Sequence, residues 1–115
     1  MKLAELSRQA QFIKDLIKKV NGLNADIEIQ SHWAKYICVL VSGFLENAIH
    51  LIYSEYIKKV SNEKVSQFSI RQIERIQNPK SSKFIEVANS FDSQWGANLE
   101  KYLNDDGRKE AIDTI

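Results

Sequence analysis

The chain has one cysteine, one proline, four glycines and two histidines among its 115 residues, and each scarcity removes a class of protein. A single cysteine, Cys38, rules out an internal disulfide framework and a cluster of thiolate ligands. Because it lies in the apolar run Tyr36-Ile-Cys-Val-Leu-Val41, it reads as a small buried hydrophobe rather than a nucleophile, in a reducing, cytoplasmic setting. With so little glycine there is no Gly-rich phosphate loop, and neither a Ser-His-Asp order nor a metalloprotease helix motif occurs. Two histidines without compatibly spaced carboxylates do not build a coordination shell, so no metal and no cofactor are expected. An excess of one charge is also missing. The net charge is +1 and the pI about 7.8, which excludes a general nucleic-acid coat protein and confines any nucleic-acid contact to a local patch.

Hydrophobic residues make up 43% of the chain, enough for one domain with one core over residues 1–115. Leu3, Leu6, Ala10, Ile13, Ile17 and Val20 recur at spacings of three and four, with Lys2, Arg8, Lys14, Lys18 and Lys19 largely off that stripe. They predict a first amphipathic helix that stops at Asn21-Gly22, where glycine can take the left-handed cap conformation. Met1 to Arg8 intersperses charges among apolar residues and lacks the continuous apolar region of a secretory signal. Asn24 or Asp26 can cap a long central helix over residues 27–60 that is apolar on nearly every face. Gly43 inside it suggests close approach by a neighbouring backbone. Residues 36–54 carry one formally charged group, Glu46, and nearly match the thickness of a bilayer. An ionisable group at the centre is costly in lipid, so a buried core helix without a membrane is the better expectation.

Further on, Ile70, Ile73 and Ile76 predict a short third helix, closed by Asn78-Pro79. Ser81 or Ser82 can cap a fourth with a stripe of Phe84, Val87, Ala88 and Phe91. Asp92 or Ser93 can cap a fifth through Trp95, Leu99, Tyr102 and Leu103, unless the last two are one helix kinked at Gly96. Asp105-Asp106-Gly107 is turn chemistry, after which Arg108 to Ile115 restarts an amphipathic pattern. The last residue falls in mid-pattern, which suggests a helix meant to continue. No strand-type alternation, repeat or linker occurs, so the predicted class is all-α: an up-and-down antiparallel helical bundle with a long central helix and additional short ones.

Glu46 and His50 are four apart on one helical face, with Asn47 three before His50. Two readings stand. In one, Glu46 is an acid/base or orienting group with His50 as its neighbour; in the other, a buried hydrogen-bonded pair fixes helix register. His32, beside Trp33, suits packing at the bundle end. Between Lys58 and Lys83 the bases Lys58, Lys59, Lys64, Arg71, Arg75, Lys80 and Lys83 outnumber the acids Glu63 and Glu74 by seven to two. Arg71, Arg75, Lys80 and Lys83 are the RNA-binding candidates in this run, although a solvated face is the commoner meaning of such a segment. The aromatics Phe84, Phe91, Trp95 and Tyr102 fall on the helical stripes and read as core rather than base-stacking platforms.

The segments His32-Trp-Ala-Lys-Tyr-Ile-Cys-Val-Leu-Val-Ser-Gly-Phe-Leu-Glu46, Gln77-Asn-Pro79, Ser90-Phe-Asp92 and Glu110-Ala-Ile-Asp-Thr-Ile115 resemble bacterial members of the HEPN superfamily, especially the RiboL-PSP-like and MAE-type branches. The likeness runs from about Gln30 onward. It implies a helical bundle that dimerises, and a relation to metal-independent ribonucleases of toxin–antitoxin, phage-defence and RNA-processing systems. RNA is then the implied substrate, and a cognate antitoxin or another protein an implied partner. Active members carry an arginine followed four to six residues later by histidine, with a supporting polar residue on an earlier helix. Glu46 matches the polar position. The arginine–histidine signature does not occur here, because no histidine follows Arg71, Arg75 or Arg108. In relatives, a segment like Glu110 to Ile115 leads into the signature, so the chain reads as stopping just before it. The family chemistry is attack of a ribose 2′-hydroxyl on the adjacent phosphate, with histidine moving protons and arginine stabilising the developing charge. Glu46 alone cannot do both, so the resemblance implies a chain without catalytic competence as given. The alternative is a noncatalytic helical interaction module, antitoxin-like or scaffolding.

Overall fold

A computed structural model describes residues 2–24 and 26–115, Lys2 by its backbone alone; Met1 and the placement of the Lys2 side chain off the first stripe lie outside what is described. Six helices follow in order: α1 (Lys2–Asn21), α2 (Ile27–Val60), α3 (Glu63–Glu74), α4 (Ser81–Phe91), α5 (Ser93–Leu103) and α6 (Arg108–Asp113), with no strand among the described residues. They form two compact units, residues 1–77 and 78–115.

In the first unit α2 is the spine. The Asp26 carboxylate accepts the Ile29 N–H at 2.9 Å and so caps its start, ahead of the competing Asn24. Ser61 and Ser66 close its far end. Ser61 Oγ donates to the Ile57 carbonyl at 2.7 Å and lies 2.7 Å from Ser66 Oγ, so the buried Ser66 hydroxyl donates to Ser61. Asn62 then caps α3 through the Val65 N–H at 3.0 Å. α1 and α3 both run antiparallel to α2, since Gln9 of α1 meets Asn47 and Ile76, just past α3, meets His50. α1 ends at Asn21 through the Gly22 N–H bonded to the Lys18 carbonyl at 3.1 Å, and Gly22 does not take the left-handed conformation expected of it.

The core helix expected from the sequence is far more exposed than that reading requires. Only Ala48, Ile49 and Ile57 of α2 are buried, and 11% of its most apolar 18-residue window is enclosed. The reason is coverage round the axis, not along it. At 1.5 Å per residue, the 34 residues of α2 span roughly 51 Å, the 20 of α1 roughly 30 Å and the 12 of α3 roughly 18 Å, so the two together nearly match its length. Each covers only the flank it packs against, and Ile27, Tyr36, Val39 and Ile52 stand in the open. Cys38, expected to be buried, is exposed, and nothing lies within 4 Å of a Cβ built on Gly43. By length and composition α2 could cross a membrane.

The second unit is built around small residues. α4 and α5 are separate helices that share one residue: the Asp92 N–H donates to the Ala88 carbonyl at 3.0 Å, and the Asp92 carboxylate accepts the Gln94 N–H at 2.8 Å. The break therefore sits at Asp92, where the backbone is extended, and not at Gly96. Gly96 instead lets α5 lie directly on α4: a Cβ there would stand 2.6 Å from Asn89 Cβ and 2.8 Å from its Cα. The start of α4 is capped neither by Ser81 nor by Ser82. Lys80 occupies the cap position without a side-chain bond, and the Asp113 carboxylate of α6 accepts both the Ser81 N–H at 2.9 Å and the Ser81 hydroxyl at 2.8 Å. Asp106 and Gly107, both left-handed, turn the chain into α6.

The aromatic side chains expected in this core are largely outside it. Phe91, Trp95 and Tyr102 are exposed and Phe84 is half-buried, because three helices of 11, 11 and 6 residues present too little surface to enclose them. They pair instead. Phe91 stacks on Trp95 with ring centroids 6.3 Å apart, and the Arg108 guanidinium lies 4.1 Å from the centre of the Tyr102 ring.

Candidate functional site

Helical geometry sets Glu46 and His50 on one side of α2 and turns Asn47 toward α1. The structure separates their partners accordingly. His50 Nε2–H donates to the main-chain carbonyl of Ile76 at 2.8 Å, just beyond the end of α3. That carbonyl belongs to the turn that follows α3, so the histidine ties the chain leaving α3 to the spine. Asn47 is exposed and donates through Nδ2 to Gln9 Oε1 at 3.4 Å, a long bond that links α2 to α1. Glu46 is half-buried, short of the full burial expected of it. Two of the three residues thus make contacts that fix helices. Gln9, which does not stand out in the sequence, enters only as the amide facing Asn47.

The basic candidates divide. Arg71 lies on α3 and Arg75 is the cap residue that follows it; both are exposed, and neither side chain makes a hydrogen bond or ion pair among the described residues. Lys80 and Lys83 belong to the second unit and are engaged there, Lys80 Nζ with the Ile115 carbonyl at 2.8 Å and Lys83 Nζ with Glu86 at 2.7 Å. The fourfold set read from the sequence is therefore two free arginines and two occupied lysines.

Concavities open along the spine. A groove of about 570 Å³ between α1 and α2 is lined mainly by Phe12, Ile13, Val39, Leu40 and Phe44, with Arg8 at its rim. A shallower one of about 400 Å³ is formed by Ile29, His32, Trp33 and Tyr36, where the two rings meet edge to face at 5.9 Å. His32 is exposed at this surface. Among the described residues no group of three His, Cys, Asp or Glu side chains is placed to hold a metal ion.

Two ionisable groups are shifted among the described residues. Burial pushes the Tyr53 hydroxyl upward. The Ser81 backbone N–H, then its hydroxyl, hold the Asp113 carboxyl below the usual carboxylate range. Asp113 sits where α6 meets the start of α4.

Neither curated proteins nor solved structures give a match to the chain. A family does: the sequence matches the one described as RiboL-PSP-HEPN over residues 4–114, through both compact units. With that match over nearly its whole length and an all-helical fold built on one long helix, the chain belongs to the RiboL-PSP-HEPN family.

Proposed function

We propose that these 115 residues form a HEPN domain of the branch related to metal-independent ribonucleases, active in toxin–antitoxin, phage-defence or RNA-processing systems of the cytoplasm, and that by themselves they do not cleave RNA. The observation that carries the second half is the state of His50. Of two histidines in the chain, neither stands four to six residues after an arginine, and the ring of His50 is committed to the Ile76 carbonyl. A histidine held to a main-chain oxygen braces a helix end; phosphate transfer also needs a cation at the developing charge. The test is incubation of the purified chain with a mixed RNA pool. No products are expected, and Glu46→Ala and His50→Ala should look like the parent. Cleavage that disappears on Glu46→Ala would overturn the reading.

The exposed apolar surface of α2 supports a second part, assembly as a homodimer. On the side of α2 away from α1, Ile27, Ala34, Cys38, Val41, Leu45 and Ile52 repeat at heptad-compatible spacing, the pattern that lets two helices pack along a seam. The same surface supports the alternative, a noncatalytic interaction module that pairs with a different protein such as an antitoxin. Sedimentation of the purified chain separates the two: a dimer formed alone favours the first, a monomer that assembles only with its genomic neighbour favours the second.

A further inference from the structure

The outward face of α3 carries Lys64, Phe68, Arg71 and Arg75 at steps of four, three and four residues. At 100° per residue these four fall within an arc of about 60° and span roughly 16 Å along the axis. Phe68 is 68% exposed and the three cations are exposed around it. Among the described residues, none of Lys64, Arg71 or Arg75 forms an ion pair or hydrogen bond. The opposite side of the helix already supplies the core contact through Ser66 and Ile73, so Phe68 is not a misplaced core residue. Glu74 and Glu63 stand about 60° and 80° round from the near edge of the stripe at Arg71, and neither forms an ion pair with it among the described residues.

We propose that this stripe binds a single-stranded nucleic acid, with the phosphodiester backbone along Lys64, Arg71 and Arg75 and one base stacked on Phe68. Alternation of cations with an open aromatic ring is what a strand with unstacked bases requires, since every base offers a π-face and every linkage a charge. A duplex keeps its bases stacked and cannot use Phe68. A lipid surface is a poorer fit, because a helix lying in a membrane interface needs a broad apolar face, and here one ring stands between cations. The site is separate from Glu46 and His50 and needs neither cleavage nor dimerisation, so it stands or falls apart from the function proposed above.

The test is fluorescence anisotropy of the full chain with labelled 12-nucleotide oligouridylate, oligothymidylate, an abasic strand of the same length and a 12-base-pair duplex, over a salt series. The uridylate is expected to bind more tightly than the abasic strand and the duplex. Phe68→Leu, which keeps the apolar volume and removes the ring, should weaken it about 5- to 150-fold, while Phe68→Tyr retains binding. The slope of log affinity against log salt should be about −2 for three phosphate contacts, and each of Lys64→Gln, Arg71→Gln and Arg75→Gln should flatten it by about 0.7. Tighter binding of uridylate than thymidylate would assign the strand as RNA; equal binding would assign it as single-stranded nucleic acid of either sugar. The proposal is overturned if Phe68→Leu binds like the parent, if duplex and abasic strand compete equally, or if the stripe variants lose binding only to phosphatidylserine vesicles. All the altered side chains are exposed, so the fold survives each change and circular dichroism confirms it.

Discussion

At the residue scale, two glycines inside helices make opposite predictions. Gly96 has Asn89 Cβ and Cα inside 3 Å of where a methyl group would go, so Gly96→Ala must push α5 off α4 and should destabilise the protein by about 1–3 kcal/mol in chemical denaturation. Gly43 faces open space, and Gly43→Ala should stabilise the helix by up to about 1 kcal/mol. The sequence alone does not separate them. A glycine in a helical pattern signals either close packing or an exposed weakness, and which it is depends on a neighbour far along the chain. His50 belongs here too: His50→Ala leaves the Ile76 carbonyl without its donor and should lower stability by about 0.5–1.5 kcal/mol with no effect on RNA, read by the same denaturation and cleavage assays. The Glu46–His50 face was legible from the i,i+4 spacing, but the acceptor that fixes the role of His50 was not, because a main-chain oxygen at position 76 leaves no mark in the residue types. Phe68 was legible in principle. Its three- and four-residue steps to Lys64, Arg71 and Arg75 are present in the sequence, yet an aromatic at helical spacing is more often core, and only its exposure decides.

At the scale of elements, the junction of α4 and α6 shows how far local chemistry reaches. Asp26, Asn62 and Asp92 cap α2, α3 and α5 from within two or three residues of the amides they bind; the sequence names Asp26 and Asp92 as cap candidates, whereas the stripe Ile70, Ile73 and Ile76 leaves the start of α3 at Asn62 unmarked. The span expected for the central helix, 27–60, agrees with Ile27–Val60 for the same reason. α4 is different, since its capping carboxylate comes from Asp113, 32 residues away, and no local pattern reports it. This clamp should respond to acid. Hydrogen bonds from Ser81 favour the charged form of Asp113, so its pKa in the folded protein lies below the value of about 3.9 in an unfolded chain. The contribution is fully present above that unfolded value and is lost as the pH falls through the depressed folded one. Protection of the Ser81 amide, its exchange measured against the intrinsic rate at each pH, should fall only in that acid window as the pH is lowered from 5. In Asp113→Asn that fall should be absent and protection lower throughout, whereas Ser81→Ala should retain a weaker acid response through the backbone N–H.

At the scale of the whole molecule, the unresolved balance is between the apolar surface α2 offers and the surface its own chain covers. Composition sets the class correctly, because 43% hydrophobic residues at helical spacing cannot form anything but packed helices. It cannot say whether the covering partner is in the same chain, and the expected buried core helix fails on that point alone. With Ile27 85% and Val39 70% exposed, α2 leaves apolar surface open for a second surface to cover. If that surface is another α2, a charge placed on the seam must be buried unpaired at the interface, at a penalty of several kcal/mol, roughly a hundredfold or more in dimer affinity. Ala34→Lys and Cys38→Lys lie at exposed positions of the seam, so each leaves the single chain folded. Sedimentation equilibrium should then find the parent as a dimer and both variants as monomers with unchanged helical circular dichroism. A membrane would give a different pattern: the parent would float with lipid vesicles at any protein concentration and Glu46→Leu would float more strongly, because removing an ionisable group from the centre of a span lowers its cost in lipid. The homodimer reading fails if the parent sediments as a monomer, or if the lysine variants dimerise as well as it does.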